Sequence, residues 1–597
     1  MNILNNPYFN ALRNISEILD EDQKKRSLLM WGLLMINAVF DVVGLAAIFP
    51  LIEAAMKPET IHQKGYLNTI YNFVGVEDTI TFLLIMASIL FLIFLIKNAM
   101  SIFIFYIQAR FSFNISKRLS QKMFQYYYNQ GYLFISNHDS GKKNYDILII
   151  PYYFGVSYLI ETLLMSTEIV VLTIILISLI IYNPLAVLFL IGFIVPIFGL
   201  VYLITKNKTK RIGDQRNILY PKATATLLDS MQAYNDVKLA NKEQYFFDNF
   251  TEVIEKINKL DALQQGIFSK IHQRLNDIVL GLGLLVLFGF AYFFRENTEQ
   301  ILALLSVFAI ASYRMLPAFN RIMGSTLAIK NVSYLINELK PLANYTLKEF
   351  KNIPPIAVLN EIKFENIGFS YPDNPAEVLQ DVSFHIQKGE TIGFIGSSGS
   401  GKTTLLHIFL RFLPETRGCV TIDGVKLDTS NNAQFQKAIG YVQQNVFIRN
   451  GTLRENIAFG LEDSEIDDIQ LHKAIHDAML AEFVAQHPDG LDMILGENGV
   501  KLSGGQRQRV GIARALYKDA QILLFDEATS ALDHETEKAI VATINHLAKL
   551  DKTIVIVAHR ITTLEMCDRI YELKNGMIAG TYDYNEILKK AIHPISE

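Results

Sequence analysis

The sequence predicts an α-helical membrane domain with six spans, followed by an α/β domain. Half of the 597 residues are hydrophobic, and the long apolar runs are concentrated in the first 342 residues. From residue 361 onward, short β-rich runs alternate with helical segments and glycines, a pattern typical of an α/β domain. Since one core usually holds roughly 100 to 200 residues, we expect a membrane domain at 1–342, a linker at 343–360 and an α/β domain at 361–597.

Six apolar runs are long enough to cross a membrane. A transmembrane helix needs about 20 mostly apolar residues, because only internal hydrogen bonds satisfy its backbone in lipid. The third and fourth runs are separated by Asn183 and Pro184. Proline disfavours helix in the residue before it, so we expect a tight hairpin there. The predicted spans are 27–55, 80–105, 154–182, 184–205, 271–294 and 301–323.

Basic residues flank these spans on one side. A basic cluster at 24–26 precedes the first span and another at 206–211 follows the fourth, whereas the loops near Asn183 and Glu296 are poor in lysine. This bias predicts that the N-terminus and the α/β domain lie in the cytosol. Residues 65–75 form an amphipathic stretch that suits the membrane interface. Packing against the chain's own spans is the alternative for that stretch.

Two arginines occur in or beside the sixth span. Arg314 and Arg321 are seven residues apart, so they lie on nearly the same helical face. One interpretation is a cationic lining for an anionic ligand such as a phosphate, which Lys270 and Arg274 near the fifth span would join. The alternative is snorkelling or an ion pair with a carboxylate. The candidate partners for such a pair are Asp41, Glu161, Glu168 and Asp277.

The overall composition argues against several classes of protein. Lys and Arg number 55 against 59 Asp and Glu, a formal net charge of −4, so no basic field favours nucleic acid. Cys419 and Cys567 form no disulfide or zinc pattern. Residues 1–22 are polar and mixed, unlike a cleavable signal peptide, so we expect the first apolar run to be retained.

A phosphate-binding motif begins the first long helix of the α/β domain. Residues 396–403 read GSSGSGKT, after an apolar strand at 391–395 and before a helix at 404–412. Glycines let backbone N–H groups converge on phosphates at a helix N-terminus. Lys402 would contact the β and γ phosphates, and the Thr403 hydroxyl would bind magnesium. The pattern predicts an ATP site that uses Mg²⁺.

Two carboxylates follow a later apolar strand. Residues 520–525 end in Asp526 and Glu527. An acidic residue at the carboxyl end of such a strand can hold magnesium, and the next glutamate can orient and deprotonate an attacking water. An ordinary strand end is the alternative. Together with the phosphate motif, the pair predicts nucleotide hydrolysis.

A second glycine-bearing loop, LSGGQ at 502–506, precedes a helical segment at 507–517. It is a second candidate anion site at a helix N-terminus, and one domain has no evident use for two. This sequence resembles the signature of the ABC transporter family. The resemblance covers 362–587 and keeps the family's order of motifs.

The resemblance implies roles for further residues. Tyr371 is expected to stack on adenine, Gln444 to contact magnesium, Asp533 to lie in the D-loop and His559 to contact the γ-phosphate. In that family the signature of one subunit completes the ATP site of the other, which implies a homodimer. The expected ATP-binding residues are Tyr371, Gly396, Ser397, Ser398, Gly399, Ser400, Gly401, Lys402, Thr403, Thr404, Gln444, Ser503, Gly504, Gly505, Gln506, Asp526, Asp533 and His559. The expected magnesium ligands are Thr403, Gln444 and Asp526, and the expected catalytic residues are Lys402, Gln444, Glu527 and His559.

The membrane half resembles that of exporter-type half-transporters, in which six spans precede one ATPase domain. Segments 313–322, 126–140 and 65–75 resemble bacterial lipid-linked oligosaccharide flippases of the PglK type. That resemblance implies ATP-driven flipping of a lipid-linked oligosaccharide or a related anionic lipid across the bacterial cytoplasmic membrane, with arginine forks on the phosphates. Export of a drug, a peptide or another lipid is the main alternative. An ATP-regulated channel and a non-transport ATPase are alternatives of a different class.

Overall fold

The computed structural model describes residues 7–592, apart from 57, 60, 62–64, 77, 183, 269, 295–297, 350–352, 373, 375, 530–532 and 551. The chain forms two compact units, Met1–Lys348 and Glu349–Glu597. The start of the predicted linker belongs to the first unit, because Gln125 exchanges two hydrogen bonds with the backbone of Lys348, at 2.6 and 2.8 Å.

The first unit is helical. Its elements are α1 (Pro7–Ile18), α2 (Glu21–Ala46), α3 (Ile48–Met56), α4 (Gly65–Val74), α5 (Thr79–Asn129), α6 (Tyr132–Asn137), α7 (Ser140–Asn144), α8 (Ile150–Tyr153), α9 (Ile160–Tyr182), α10 (Pro184–Gln232), α11 (Tyr234–Leu239), α12 (Glu243–Leu263), α13 (Ile271–Arg274), α14 (Asn276–Phe294), α15 (Thr298–Asn331) and α16 (Leu335–Leu339). Three π-helical segments join some of them, at Tyr145–Ile149, Phe154–Leu159 and Gln264–Phe268.

Among the described residues, three helices are long and apolar enough to cross a membrane: Glu21–Gly44, Thr79–Asn129 and Ser140–Ile181. The predicted spans at 184–205, 271–294 and 301–323 lie in α10, α13 with α14, and α15. Asn183 of the predicted hairpin and Glu296 of the last predicted loop lie outside the described residues.

Helices α5 and α10 are longer than a bilayer requires. The 51 residues of α5 reach about 75 Å at 1.5 Å per residue, more than twice the roughly 30 Å of hydrocarbon. Asp78 caps α5 by accepting a hydrogen bond from the Thr81 N–H at 3.0 Å. The second half of α5 therefore extends beyond the hydrocarbon layer.

Helix α9 packs against both α2 and α15. A close approach of α10 to α15 requires glycine, because a Cβ on Gly213 would lie 1.6 Å from the Asn331 carbonyl oxygen.

Helix α4, part of the predicted amphipathic stretch, packs Tyr71 edge-on against Phe82 with ring centroids 5.0 Å apart. Phe73 on the same helix is exposed, so α4 both packs on its own unit and presents an aromatic side chain outward.

The second unit contains two sheets. Its strands are β1 (Glu361–Phe369), β2 (Leu379–Gln387), β3 (Thr391–Ile395), β4 (Arg417–Ile422), β5 (Val425–Lys426), β6 (Ile439–Val442), β7 (Ile522–Asp526), β8 (Thr553–Val557), β9 (Arg569–Lys574) and β10 (Met577–Tyr582). Its helices are α17 (Lys402–Phe409), α18 (Asn432–Ala438), α19 (Leu453–Ile457), α20 (Asp468–Asp477), α21 (Ala481–Gln486), α22 (Gly504–Tyr517), α23 (His534–Ala548) and α24 (Tyr584–Ile592).

The larger sheet has the order β10-β9-β3-β8-β7-β6, and all its pairings except β10 with β9 are parallel. Strands β3, β7 and β8 are almost continuously buried, as expected when both faces of a parallel sheet are covered. The smaller sheet is antiparallel, in the order β2-β1-β4-β5. Because the carboxyl ends of parallel strands meet at one edge, the loops after β3, β7 and β8 come together there.

Candidate functional site

The loop after β3 has the geometry of a phosphate cradle. Gly399 and Gly401 have φ values of +80° and +102°, a region that glycine adopts without steric cost. A Cβ on Gly396 would lie 2.3 Å from the Leu573 carbonyl oxygen. The predicted glycines are therefore required by the backbone path, and the loop leads into α17 at Lys402.

Lys402 is folded back into this loop. Its Nζ donates hydrogen bonds to the carbonyl oxygens of Gly396 at 2.8 Å and Ser397 at 3.0 Å. Burial lowers the pKa of Lys402, and the carboxylates of Glu527 and Asp526 oppose that shift. The ammonium group is thus held by the loop carbonyls and lies within electrostatic range of the two predicted acidic residues.

Ser400 and Thr403 suit a phosphate and a metal ion respectively. Ser400 Oγ is buried and has no hydrogen-bond partner among the described residues, so it is a donor available to a phosphate oxygen. Thr403 is exposed at the start of α17. This arrangement at a helix N-terminus fits a nucleotide phosphate group.

The carboxylates after β7 have different partners. Tyr441 donates a hydrogen bond to Asp526 Oδ2 at 2.9 Å. Burial raises the pKa of Asp526, and this hydrogen bond opposes the shift. Hydroxyl, amide and carboxylate oxygens suit Mg²⁺, which commonly takes one or two carboxylates with phosphates and waters. The predicted ligands Thr403, Gln444 and Asp526 are chemically of that kind.

Glu527 is placed next to His559. Its backbone has φ of +47°, and its N–H donates to the Val557 carbonyl oxygen in β8 at 2.9 Å. His559 follows β8, and its Nε2 lies 2.7 Å from Glu527 Oε1. The structure therefore brings together two of the four predicted catalytic side chains, at the ends of neighbouring strands.

Tyr371 lies beside the helix that follows the phosphate loop. Its hydroxyl is 3.1 Å from Thr404 Oγ1, and its ring packs edge-on against Phe369 with centroids 5.0 Å apart. Thr404 is buried. The hydrogen bond ties the aromatic side chain expected at adenine to the start of α17.

The signature loop forms the N-terminus of α22. Ser503 Oγ accepts a hydrogen bond from the Gln506 N–H at 3.2 Å, and Gln506 Oε1 accepts one from the Ser503 N–H at 2.8 Å, which is a capping box. A Cβ on Gly505 would lie 2.2 Å from Thr536 Cγ2. Thr536 N–H in turn donates to Asp533 Oδ2 at 3.0 Å. The signature thus packs beside the predicted D-loop aspartate, while 530–532 lie outside the described residues.

Sequence reasoning missed two residues that position this site. One is Tyr441, described above. The other is Gln508, a buried glutamine of α22 whose Nε2 donates to the carbonyl oxygens of Gln444 at 2.7 Å and Gln443 at 3.2 Å. Gln508 therefore links the signature helix to the segment that carries the predicted Q-loop glutamine. In the sequence, Gln508 could have been noticed only through its position two residues after Gln506 of the signature.

The membrane unit pairs its two predicted arginines with carboxylates. Arg314 donates to Glu168 at 2.9 Å and to Asp41 at 3.4 Å, and Arg321 donates to the other oxygen of Glu168 at 3.3 Å. Lys97 Nζ lies 2.8 Å from Asp41. We call these five residues the ionic chain. The ion-pair alternative thus holds for both arginines, through Asp41 and Glu168.

One cavity of about 780 Å³ lies among α5, α9, α13, α14 and α15. Arg321 is about half exposed and lines this cavity. Arg314, Lys270 and Arg274 are described residues that do not line it. The structure therefore brings one of the four predicted cationic residues to the cavity wall.

Comparison with known proteins places the chain in a family. Residues 379–530 match the ABC transporter family. An ATP-dependent lipid A-core flippase of Cupriavidus metallidurans is 30% identical over 399 residues, 66% of this chain and 67% of the relative. This chain belongs to the ABC transporter family. It is an exporter-type half-transporter, and the predicted ATPase activity of a translocase is confirmed.

Two further comparisons extend this result. ATP-binding cassette sub-family B member 6 of Xenopus tropicalis is 34% identical over 399 residues, 66% of this chain and 46% of that protein. A bacterial Atm1-family ABC exporter with ATP bound has a TM-score of 0.77 at 20% identity, over 96% of this chain and 97% of the other. The predicted fold class, a helical membrane domain plus an α/β P-loop ATPase domain, is confirmed. The specific likeness to PglK-type flippases is not.

Proposed function

We propose that this ABC half-transporter flips an anionic lipid-linked cargo across the bacterial cytoplasmic membrane, by alternating access in a homodimer. A lipid-linked oligosaccharide is the cargo that the sequence favours, and relatives named lipid A-core flippases support a related lipid. The observation that carries the proposal is Arg321, a half-exposed guanidinium on the wall of an open cavity of the membrane unit. Guanidinium groups suit phosphate oxygens.

The chain's own side chains define the roles in hydrolysis. Lys402, Ser400 and the loop N–H groups would hold the ATP phosphates, and Tyr371 would stack on adenine. Glu527 would accept the proton of the attacking water, and His559, 2.7 Å away, would fix the orientation of that carboxylate. Bound Mg²⁺ would offset phosphate charge, with Thr403, Asp526 and Gln444 as its protein ligands.

A homodimer accounts for the second anion site. The contacts described above for Ser503 and Gly505 run within α22 and to α23, and Ser503 is exposed, which leaves this helix N-terminus available to a nucleotide held by another subunit. ATP that bridges two subunits binds the closed dimer better than the open one, and this difference in affinity is what drives the conformational change. The positive-inside bias of the sequence supports a cytosolic N-terminus and cytosolic ATPase units.

Export of a drug, a peptide or another lipid remains the competing function. Sites for such cargo are lined mostly by apolar and aromatic side chains. The cavity beside Arg321 combines apolar side chains with those of glutamine, asparagine, serine, glutamate and arginine. These polar groups favour a cargo that has a polar head group as well as an apolar part.

The test is flipping of a fluorescent pyrophosphate-linked oligosaccharide lipid in proteoliposomes, with and without ATP, beside the Glu527→Gln variant. We expect ATP-dependent flipping by the wild type and none by the variant. A fluorescent lipid A-core probe in parallel vesicles distinguishes the two lipid classes. Vigorous ATP hydrolysis without movement of either lipid would contradict the proposed cargo.

A further inference from the structure

The cavity beside Arg321 is lined in part by side chains that can form hydrogen bonds. They come from α5, α9, α13, α14 and α15 of the membrane unit. A volume of about 780 Å³ lies within the range of roughly 300–1,000 Å³ that is usual for small-molecule sites. The hydrogen-bonding residues are Gln108, Glu161, Gln273, Asn276, Asn320 and Ser325.

The positive charges near this cavity are already offset. Arg321 donates to Glu168, whose other oxygen accepts from Arg314. A second cavity of about 320 Å³ shares Glu161 with the first and contains Arg216. Arg216 lies 3.1 Å from Asp261 Oδ1. Arg321 and Arg216 therefore each already have one carboxylate partner, and Arg321 still exposes about half of its side chain to a ligand.

Glu161 is the carboxylate common to both cavities. The hydrogen bond that it accepts comes from the neutral hydroxyl of Ser325, at 2.6 Å. A phosphate placed beside Glu161 would be repelled, because like charges at close range disfavour binding. A hydroxyl group would instead donate to the carboxylate in a charge-assisted hydrogen bond.

An amide pair lies on the same wall. Asn320 Nδ2 donates to Asn276 Oδ1 at 3.0 Å. Asn320 Oδ1 is buried and has no hydrogen-bond partner among the described residues, and an acceptor in that condition costs free energy until a donor reaches it. A ligand hydroxyl would supply that donor.

We propose that this cavity binds the hydroxyl-rich sugar part of the cargo through Glu161 and the amide side chains, while Arg321 holds the anionic part at the rim. This inference rests on the proposed function and names the part of the cargo that gives selectivity. Ser325, which donates to Glu161, lies four residues after Arg321 on α15, so the carboxylate end of the sugar subsite is about 6 Å from Arg321 along the helix axis. Sugar hydroxyls act as both donors and acceptors, so the mixed lining suits them.

The experiment measures the affinity of the full-length transporter in nanodiscs for three probes. These are a bare polyprenyl pyrophosphate, the same lipid carrying a disaccharide, and a neutral diglucosyl diacylglycerol. In the wild type the disaccharide should tighten binding of the pyrophosphate lipid at least tenfold, since hydrogen bonds to a carboxylate are among the stronger ones. Glu161→Gln and Asn320→Ala should remove most of that gain and leave the bare lipid within twofold of the wild type.

Two controls separate the subsites. Arg321→Ala should weaken both pyrophosphate lipids and leave the neutral glycolipid unchanged. Ser178→Ala lies on α9 at an exposed position, where the hydroxyl bonds to its own helix, and it should alter none of the three affinities. Monodispersity and melting temperature confirm that each variant is folded.

The outcomes are distinguishable. Equal wild-type affinities for the bare and glycosylated lipids would overturn the sugar subsite, and the proposed flippase function would stand if either lipid moves with ATP. Equal weakening of all lipids by Glu161→Gln would assign Glu161 a structural role and also overturn it. Binding of none of the probes would overturn both this inference and the proposed cargo.

Discussion

The cationic side chains of the two candidate sites differ in the partners that they have. At the ATPase site, the hydrogen bonds of Lys402 within the described part of the chain go to backbone carbonyls, and Ser400 Oγ has no partner there. In the membrane unit, Arg314 and Arg321 share Glu168. The ATPase site therefore has donors ready for a highly charged ligand, whereas the membrane unit offsets its own charges. A transporter must release its cargo on the far side, and weak net charge at the cavity suits release.

The largest expected effect is in the ATPase unit. Glu527→Gln should lower steady-state phosphate release by about 10² to 10⁴-fold, because the amide cannot accept the proton of the attacking water. ATP binding and the ATP-bound dimer should persist. The matched control is Glu535→Gln, an exposed glutamate in the first turn of α23, which should hydrolyse ATP normally. Phosphate release close to wild type by Glu527→Gln would show that another group is the base.

The charge balance of the membrane site depends most directly on Glu168, which accepts from both arginines. Glu168→Gln should lower the stability of the membrane unit by about 3 kcal/mol, because two guanidinium groups lose a buried anionic partner. Bare polyprenyl pyrophosphate should restore more melting temperature to this variant than to the wild type, since its phosphates replace the missing carboxylate. Glu17→Gln, at an exposed i,i+4 pair, is the control. A variant that is as stable as wild type would mean that Glu168 does not offset the arginines.

Replacing Ser400 tests whether the phosphate loop keeps an unpaired donor for ATP. Ser400→Ala should weaken ATP binding about tenfold, the size of one hydrogen bond to a charged phosphate. The melting temperature without nucleotide should not fall, because no internal hydrogen bond is lost. Equilibrium binding of a fluorescent ATP analogue measures the first effect, with exposed Ser430→Ala as the control. A drop in stability without nucleotide would show that the hydroxyl has an internal role.

The smallest effect concerns a paired arginine within the ATPase unit. Burial alone would raise the pKa of Glu390, but the hydrogen bonds from Arg569, at 2.5 and 2.7 Å, hold that pKa below its ordinary value of 4.5. The pair therefore contributes stability that is complete above pH 4.5 and is lost as the pH falls through the lower, folded-state pKa. We expect Arg569→Met to cost about 1 kcal/mol at pH 7.

Hydrogen exchange of the β3 amides in the full chain measures this dependence. The difference between wild type and Arg569→Met should shrink as the pH falls below 4.5. Arg417→Met, at an exposed pair with Asp381, should show no such convergence. A difference that is independent of pH would assign the effect to packing of the Arg569 side chain.

Most of the ATPase site was predictable because it is local in the chain. The residues of 396–403 are consecutive, and Asp526, Glu527 and His559 each follow an apolar strand. Once a parallel sheet is predicted, its strand ends bring these motifs together without further information. Tyr441 and Gln508 were missed because they act through partners that only the folded sheet and helix bring near.

The membrane site was less predictable because its residues are far apart in the chain. The sequence offered four carboxylates as partners for the arginines, and helical periodicity gives the face of a residue but not the neighbouring helix. Glu168 and Asp41 lie 146 and 273 residues from Arg314, so packing selects them. Helical periodicity predicted that the two arginines of α15 share a face. It could not show that Arg321 lines a cavity and that Arg314 does not.

The π-helical turns carry a consequence for how this membrane unit diversifies. Phe154–Leu159 ends one residue before the helix that carries Glu161, and such a turn holds one residue more than an α-helical turn. The wider turn absorbs that extra residue, so deleting one residue there would restore the α-helical repeat and leave both flanks on their faces. Glu161 and Tyr153 would then stay on the wall that they share in the smaller cavity. A deletion in the regular part of the helix would instead rotate one flank by about 100°, so the π-helical turn is where this membrane unit can lose a residue and keep its cargo preference.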